Sequence, residues 1–311
     1  MAGERGIAGS TRRVFLSGLL ASGALALVPG LARAVEVARV GTRSIHVLSD
    51  GGFTLPLSML ARGVPPDELI ALLAAEGLPT DEIRSVLNVT LIRDGESWTI
   101  IDCGAGANFL PGSGQLAANL EAAGIDRAKV ARVLFTHAHP DHLWGAIDEF
   151  DSDLFPNARY QISEREFAFW TAADVYSRLP EDRHSFAAGA QRILKVIDEK
   201  LERFTPGSEV APGILAVDTA GHTPGHVSFE IGGEGASLLV IGDALTHPII
   251  SFRYPDWRTV SDTDPDHGVA TRWRLLDQLA TRRIPIIGYH LPMPGLGRVE
   301  RAGSAFRFVA G

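Results

Sequence analysis

The chain has 311 residues, 45% of them hydrophobic and 21% charged, with a formal charge of −8 and an isoelectric point near 5.7. That composition excludes a disordered chain, because it holds enough apolar material for one large core or two small ones. The acidic balance excludes a nucleic-acid partner, whose phosphates need a basic surface.

The first 34 residues follow rules of their own. Arg12-Arg13 precede an apolar stretch from Val14 to Val28, and Ala32-Arg33-Ala34 makes an A-x-A end. This is a bacterial signal peptide in its twin-arginine form, which predicts recognition by the twin-arginine export machinery, cleavage near Ala34 and a periplasmic chain over residues 35–311. Polar and glycine residues interrupt the stretch and Pro29-Gly30 ends it, so no permanent membrane anchor is expected. Four arginines and one glutamate leave with the signal, taking the formal charge from −8 to −11. The single cysteine, Cys103, has no partner for an internal disulfide, and stability must come from the core and any bound metal.

Beyond the signal, strand-like and helical patterns alternate. "SIHVLSD" is followed by a helical "PPDELIALLAAEG", strands "VTLIRD" and "WTIIDCG", a helical "GQLAANLEAAG", and strands "RVLFTH" and "ARYQIS". Helical "EREFAFWTAADV" and "AAGAQRILKVIDEKLERF" come next, then strands "ILAVDTAG", "HVSFEIGG" and "SLLVIGD", helical "GVATRWRLLDQLATRR" and a last strand, "IPIIGYH". The alternation predicts one layered α/β domain. Asp102, His137, His222, Asp243 and His290 each follow an apolar run, which gathers the chemistry at one edge of the sheets.

The densest motif is "FTHAHPDHLWG", Phe135–Gly145. At an extended strand end, residues two apart point the same way, so His137, His139 and Asp141 are expected to converge. Pro140 suits the first turn of a helix, which swings His142 toward a second point. One loop thus offers ligands for two adjacent metals. Further candidates are His222 and His226 in "TAGHTPGHVSFEI", Asp243 in "LLVIGDALTH" and His290 in "IPIIGYHLP". No G-x-S-x-G elbow, dinucleotide fingerprint or P-loop competes with a metal site.

The H-x-H-x-D-H spacing, with "GHTPGH", "GDA" and "GYH" behind it, resembles the metallo-β-lactamase-fold hydrolases over residues 35–311. The resemblance implies an αβ/βα four-layer sandwich. It implies one metal on His137, His139 and His222, a second on Asp141, His142 and His290, and Asp243 as the bridge. "SDGGFTLPL", "IDCGAGANFLPGSGQLAANLEAAG" and "HLPMPGLGRVE" are most similar to the methyl parathion hydrolase-like group, with N-acyl-homoserine lactone lactonases more distant. That group lines its substrate pocket with aromatics, implying Phe109 and Trp170 here. Asp102 is expected to orient a ligand histidine through its free ring nitrogen, and His226 to support the site.

Departures narrow the chemistry. Ala138 stands where redox-active diiron relatives carry a glutamate, Cys103 is far from every ligand motif, and Thr246 replaces a lactonase tyrosine. The expected cofactors are two divalent ions, zinc foremost, with manganese, iron or cobalt as alternatives. With two ligand aspartates and a bridging hydroxide the core carries about +1, enough to polarise a carbonyl or phosphoryl oxygen while the hydroxide attacks. The expected function is hydrolysis of small neutral esters, lactones or phosphotriesters; the alternatives are a periplasmic β-lactamase-type amide hydrolase and a non-catalytic metal-binding protein. The oligomeric state is left open, a homodimer included. In a host with a working twin-arginine pathway, intact mass is expected to show a mature chain beginning near Val35; a chain retaining residues 1–34 contradicts the signal.

Overall fold

Ile100-Ile101 and Val133-Leu134 are neighbours along strands, so their side chains point to opposite faces and each strand needs apolar cover on both. The computed structural model, which describes residues 34–233 and 235–311, provides that cover with two face-to-face sheets and helices outside both. The signal expected over residues 1–34 lies outside the described residues, Ala34 apart. No helix among the described residues is long and apolar enough to cross a membrane.

The first sheet takes its strands in chain order: β1 (Val35–Val40), β2 (Arg43–Pro56), β3 (Glu82–Asp94), β4 (Ser97–Ile101), β5 (Val130–Leu134), β6 (Arg159–Ser163) and β7 (Leu201–Phe204). The second holds β8 (Glu209–Ala211), β9 (Ile214–Asp218), β10 (Val227–Gly233), β11 (Ala236–Val240), β12 (Ile286–Ile287), β13 (Leu296–Ala302) and β14 (Ala305–Ala310). Strands β4 to β7 run parallel, as do β11 and β12. Parallel neighbours need crossover connections, and helices occupy them. α1 (Pro66–Ala75) precedes β3; α2 (Leu116–Ala122), α3 (Pro140–Leu143), α4 (Glu164–Thr171), α5 (Val175–Arg178) and α6 (His184–Val196) serve the first sheet, and α7 (Ile250–Arg253) and α8 (Pro265–Arg282) the second.

Three apolar layers follow. Leu91, Ile100, Val133 and Phe135 pack outward on Leu120, Ala190 and Ile193 of the first helical layer. Ile45, Ile101 and Leu134 face Phe229, Ile231 and Val240 between the sheets. Ile241, Ile286 and Val299 pack on Leu275, Leu276 and Leu279 of α8. The ends of β4, β5, β11 and β12 and the β9–β10 loop meet at one edge, where the polar residues noted in the sequence collect.

Two expectations about elements need correction. The helical pattern over 187–204 stops at Val196; Leu201–Phe204 instead pairs in parallel with β6, because the exposed edge of β6 offers a ladder that local propensity does not anticipate. β1, β7, β8 and β14 at the sheet edges, and β13 beside β14, were not expected at all, since strands with alternating or short apolar patterns signal weakly.

Phe229 is fully buried between the sheets, whereas Leu215 on the adjacent strand is 39% exposed. Phe229→Ala is expected to lose about 3–5 kcal/mol of unfolding free energy in a denaturant titration. Leu215→Ala should stay within about 1 kcal/mol of the parent.

Candidate metal centre

The site begins with a strained aspartate. Asp102, at the end of β4, has φ = 63°, a conformation uncommon for a residue with a side chain. Its buried carboxylate accepts the Thr136 N–H and hydroxyl, each at 2.8 Å, and holds His142 Nδ1 at 2.8 Å. With its own proton directed to Asp102, the Thr136 hydroxyl accepts from His137 Nδ1 at 3.0 Å. His222 Nδ1 is held by Asp262 at 3.1 Å, and His290 Nδ1 lies 3.0 Å from the Val86 carbonyl and 2.8 Å from Ser85 Oγ. Four imidazoles thus have Nδ1 occupied and aim Nε2 inward, and His139 presents Nδ1 instead.

These atoms form two clusters. His139 Nδ1 lies 3.0 Å from His137 Nε2 and 2.9 Å from His222 Nε2. Three inward lone pairs cannot all be satisfied by one another, but nitrogens bound tetrahedrally at about 2.0–2.1 Å to an ion sit about 3.3 Å apart, close to this spacing. Asp141, His142 and His290 make the second cluster. Asp243 lies between the two: Oδ2 is 3.3 Å from His222 Nε2 and 3.2 Å from His290 Nε2, and Oδ1 is 3.2 Å from His142 Nε2. His142 Nε2 and Asp243 Oδ1 are buried without hydrogen-bond partners, the condition a cation between them relieves. The donor set and its spacing fit two divalent ions.

The electrostatics are divided the same way. Burial holds His137 and His139 well below the ordinary histidine pKa, leaving neutral lone pairs. Burial also opposes charge on His142 and His290, yet Asp243 and its neighbouring carboxylates prevail, raising His142 well above its usual value and His290 to about 10. Burial likewise opposes charge on Asp243, but His290 and His142 outweigh it and keep the carboxylate ionised.

Carboxylates distant in sequence hold the ligand loops. Glu166 of α4 accepts the Ala138 N–H at 2.9 Å, the Thr223 hydroxyl at 2.7 Å and the Gly225 N–H at 2.9 Å, tying the first histidine loop to the β9–β10 loop. Only glycine fits at 225, where a Cβ would stand 2.0 Å from the Glu166 nitrogen. Asp262, which orients His222, is held in turn by Arg272 at 2.7 Å. Asp50, in the bulge of β2, accepts the N–H groups of Ala105, Gly114 and Leu116, and burial raises its pKa to about 6. His226 accepts the Asp243 N–H at 3.0 Å, and burial holds its pKa at about 3.

The centre opens into a cleft of about 200 Å³. Phe53, Phe109 and Phe186 arch over it edge to face, with ring centroids 5.5 Å and 6.1 Å apart, from His290 on one side to His139 on the other. Leu55, Leu60, Ile83 and Ile250 extend the apolar wall.

The sequence profile of the Metallo-beta-lactamase superfamily matches residues 84–289, which include every member of the constellation but His290, the next residue after the match. The chain belongs to the metallo-β-lactamase superfamily. Among solved structures it is similar to AidC, a dizinc quorum-quenching lactonase, at 28% identity and a TM-score of 0.85, covering 90% of this chain and 98% of AidC. It is also similar to the hydrolase AbOPH at 26% identity and a TM-score of 0.83, covering 91% of this chain and 99% of that one. In sequence it is 32% identical to the N-acyl homoserine lactonase AttM of Azorhizobium caulinodans over 136 residues, 42% of this chain and 47% of AttM. The matched stretches span 47% to 61% of the length of the curated relatives.

Within this metallo-β-lactamase fold, His137, His139, His142, His222, Asp243, His290 and Asp141 are brought together. Asp141 departs from the direction that strand alternation implies: α3 already begins at Pro140, so Asp141 is helical and turns to His142 and His290. Phe109 lines the cleft, but Trp170 does not. Trp170 is fully buried, packs its ring against His139 at 5.7 Å and donates its indole N–H to Glu166 at 2.7 Å, because the facing side of α4 is turned into the core. Sequence inspection missed Asp262, Glu166, Phe53, Phe186 and Arg183. The last lines the cleft, though its guanidinium donates to the carbonyls of Val260 and Ser261.

Two ions per chain are expected by elemental analysis of the isolated protein. Asp262→Asn should raise the dissociation constant for zinc about 10–100-fold in competition with a chelator, because His222 loses its orienting carboxylate.

Proposed function

We propose that the chain is a dinuclear metal-dependent hydrolase of small neutral esters, lactones or phosphotriesters that works in the periplasm after twin-arginine export. The observation that carries this reading is the pair of ligand clusters sharing Asp243 at the base of an apolar, aromatic-walled cleft. His137, His139 and His222 would hold one ion and Asp141, His142 and His290 the other, with Asp243 between them; zinc suits this mixed set, as do manganese, iron and cobalt. Such ions supply Lewis-acid activation of water and of the substrate oxygen.

The chain's own groups supply the remainder. Asp102, Asp262, Thr136 and the Val86 carbonyl fix ring orientations, so that Nε2 lone pairs converge without rearrangement. Asp243 and Asp141 offset part of the metal charge, which favours neutral substrates whose transition state alone is anionic. Phe53, Phe109 and Phe186 take the apolar body of the substrate. Hydrolysis adds the oxygen of water to the acyl carbon or phosphorus, breaks the bond to the leaving oxygen and returns a proton to it. The similarity to AidC favours lactones within this class.

A panel of lactones, p-nitrophenyl esters, a paraoxon-like triester and nitrocefin is the test. Lactones or aryl esters are expected to turn over, with loss on chelation and recovery with zinc; turnover of nitrocefin alone, or of anionic phosphodiesters alone, would contradict the proposal.

A further inference from the structure

Just after Asp243 the chain makes a reciprocally bonded turn. Ser251 Oγ accepts the N–H groups of Thr246 and His247, both at 3.1 Å, and His247 Nδ1 accepts those of Ile249 at 3.2 Å and Ile250 at 3.1 Å. An imidazole nitrogen that accepts N–H groups carries no proton, so the neutral ring must bear its proton on Nε2. Burial pushes the pKa of His247 down to about 4, and the ring is therefore neutral at neutral pH.

His247 lines the cleft in company with Asp243, His222 and His290, and it also faces an adjoining hollow against Leu60 and Ile83. Its Nδ1 is held by the turn, so the exposed edge of the ring is the one that carries Nε2–H. Among the described residues that nitrogen has no hydrogen-bond partner. Two other polar side chains of the cleft are engaged elsewhere: Ser85 with His290, and Arg183 with backbone carbonyls. An oriented N–H left unpaired beside an apolar wall is a recognition group for an oxygen acceptor.

We propose that His247 is a substrate-binding hydrogen-bond donor whose Nε2–H engages an oxygen of the scissile ester, lactone or phosphoryl group. It donates a hydrogen bond and keeps its proton throughout. The assignment rests on the hydrolase reading above and adds a residue to it. Two consequences follow from the geometry. The scissile group is oriented by a contact independent of the metal ligands, and discrimination favours substrates that place an acceptor oxygen over this turn.

The substitutions His247→Asn and His247→Gln separate the ring's two roles. Asparagine keeps an oxygen near the Nδ1 position to accept the N–H groups of Ile249 and Ile250 but lacks a donor at the ε position; glutamine extends an amide N–H toward that position. His247→Asn is expected to retain the parent's melting temperature and metal content while losing roughly 10- to 100-fold in kcat/KM, mostly in kcat, and His247→Gln to recover part of the loss. Unchanged kcat/KM in His247→Asn overturns the assignment. So does an equal loss in both variants accompanied by falling melting temperature and metal content, which marks a purely structural turn. Absence of turnover by the parent protein on every substrate of the panel overturns the hydrolase reading and this assignment with it, whereas an active parent with an unaffected His247→Asn overturns the assignment alone.

Discussion

Five imidazoles and two carboxylates converge at one sheet edge with little of their surface exposed, and their lone pairs and negative charges face inward. Such a constellation is unfavourable unless positive charge sits among its members. Protons can meet the demand in part, as the raised pKa values of His142 and His290 indicate. Divalent ions meet it fully, and metal binding then contributes directly to the stability of the folded chain. The rest of the architecture serves to hold these groups in place.

The holding is done by a ring of buried acceptors outside the ligands. Asp102 and Asp262 each grip the far nitrogen of a histidine, and Glu166 joins two ligand loops that are about 85 residues apart in the chain. Asp50 performs the same service for the loop that carries Phe109. Each of these carboxylates is buried and satisfied by several donors, and that fixes loops which would otherwise have little to define them. Trp170 belongs to this scaffold: its indole N–H completes the coordination of Glu166.

Above the ligands the chemistry changes character. The wall of the cleft is built from phenylalanines contributed by β2, the loop after β4 and α6, with aliphatic side chains continuing it. A polar, charged base under an apolar roof suits a substrate that enters neutral and becomes anionic only as it reacts. The similarity to AidC and AbOPH extends over nearly the full length of both, so the shared fold takes in the whole two-sheet frame.

The ligand loop was legible in the sequence because metal chemistry demands histidines and aspartates at short, fixed spacings, and strand ends are marked by apolar runs that stop at a polar residue. His137, His139, His142, His222, Asp243 and His290 could be picked out on those grounds, and the alternation of elements was enough for a layered α/β fold. Asp141 was legible as a ligand beside His142 and His290 through the family resemblance; strand alternation alone misjudged its direction, because the start of α3 at Pro140 replaces that alternation with a helical turn. Local patterns misjudged residues 201–204, where pairing with β6 overrides helical propensity, and Trp170, whose direction depends on which face of α4 meets the core. Asp262, Glu166, Phe53, Phe186 and Arg183 carry no local mark of function: a lone carboxylate or phenylalanine looks alike on a surface, in a core or beside a metal. The sequence by itself determined the donor chemistry and the order of the elements, since both depend on residue type and short-range spacing. Only the tertiary structure decided that Asp262 and Glu166 join the expected Asp102 in holding the ligand loops and that Phe53 and Phe186 join Phe109 over the cleft, because those contacts unite residues that the chain separates by tens to hundreds of positions.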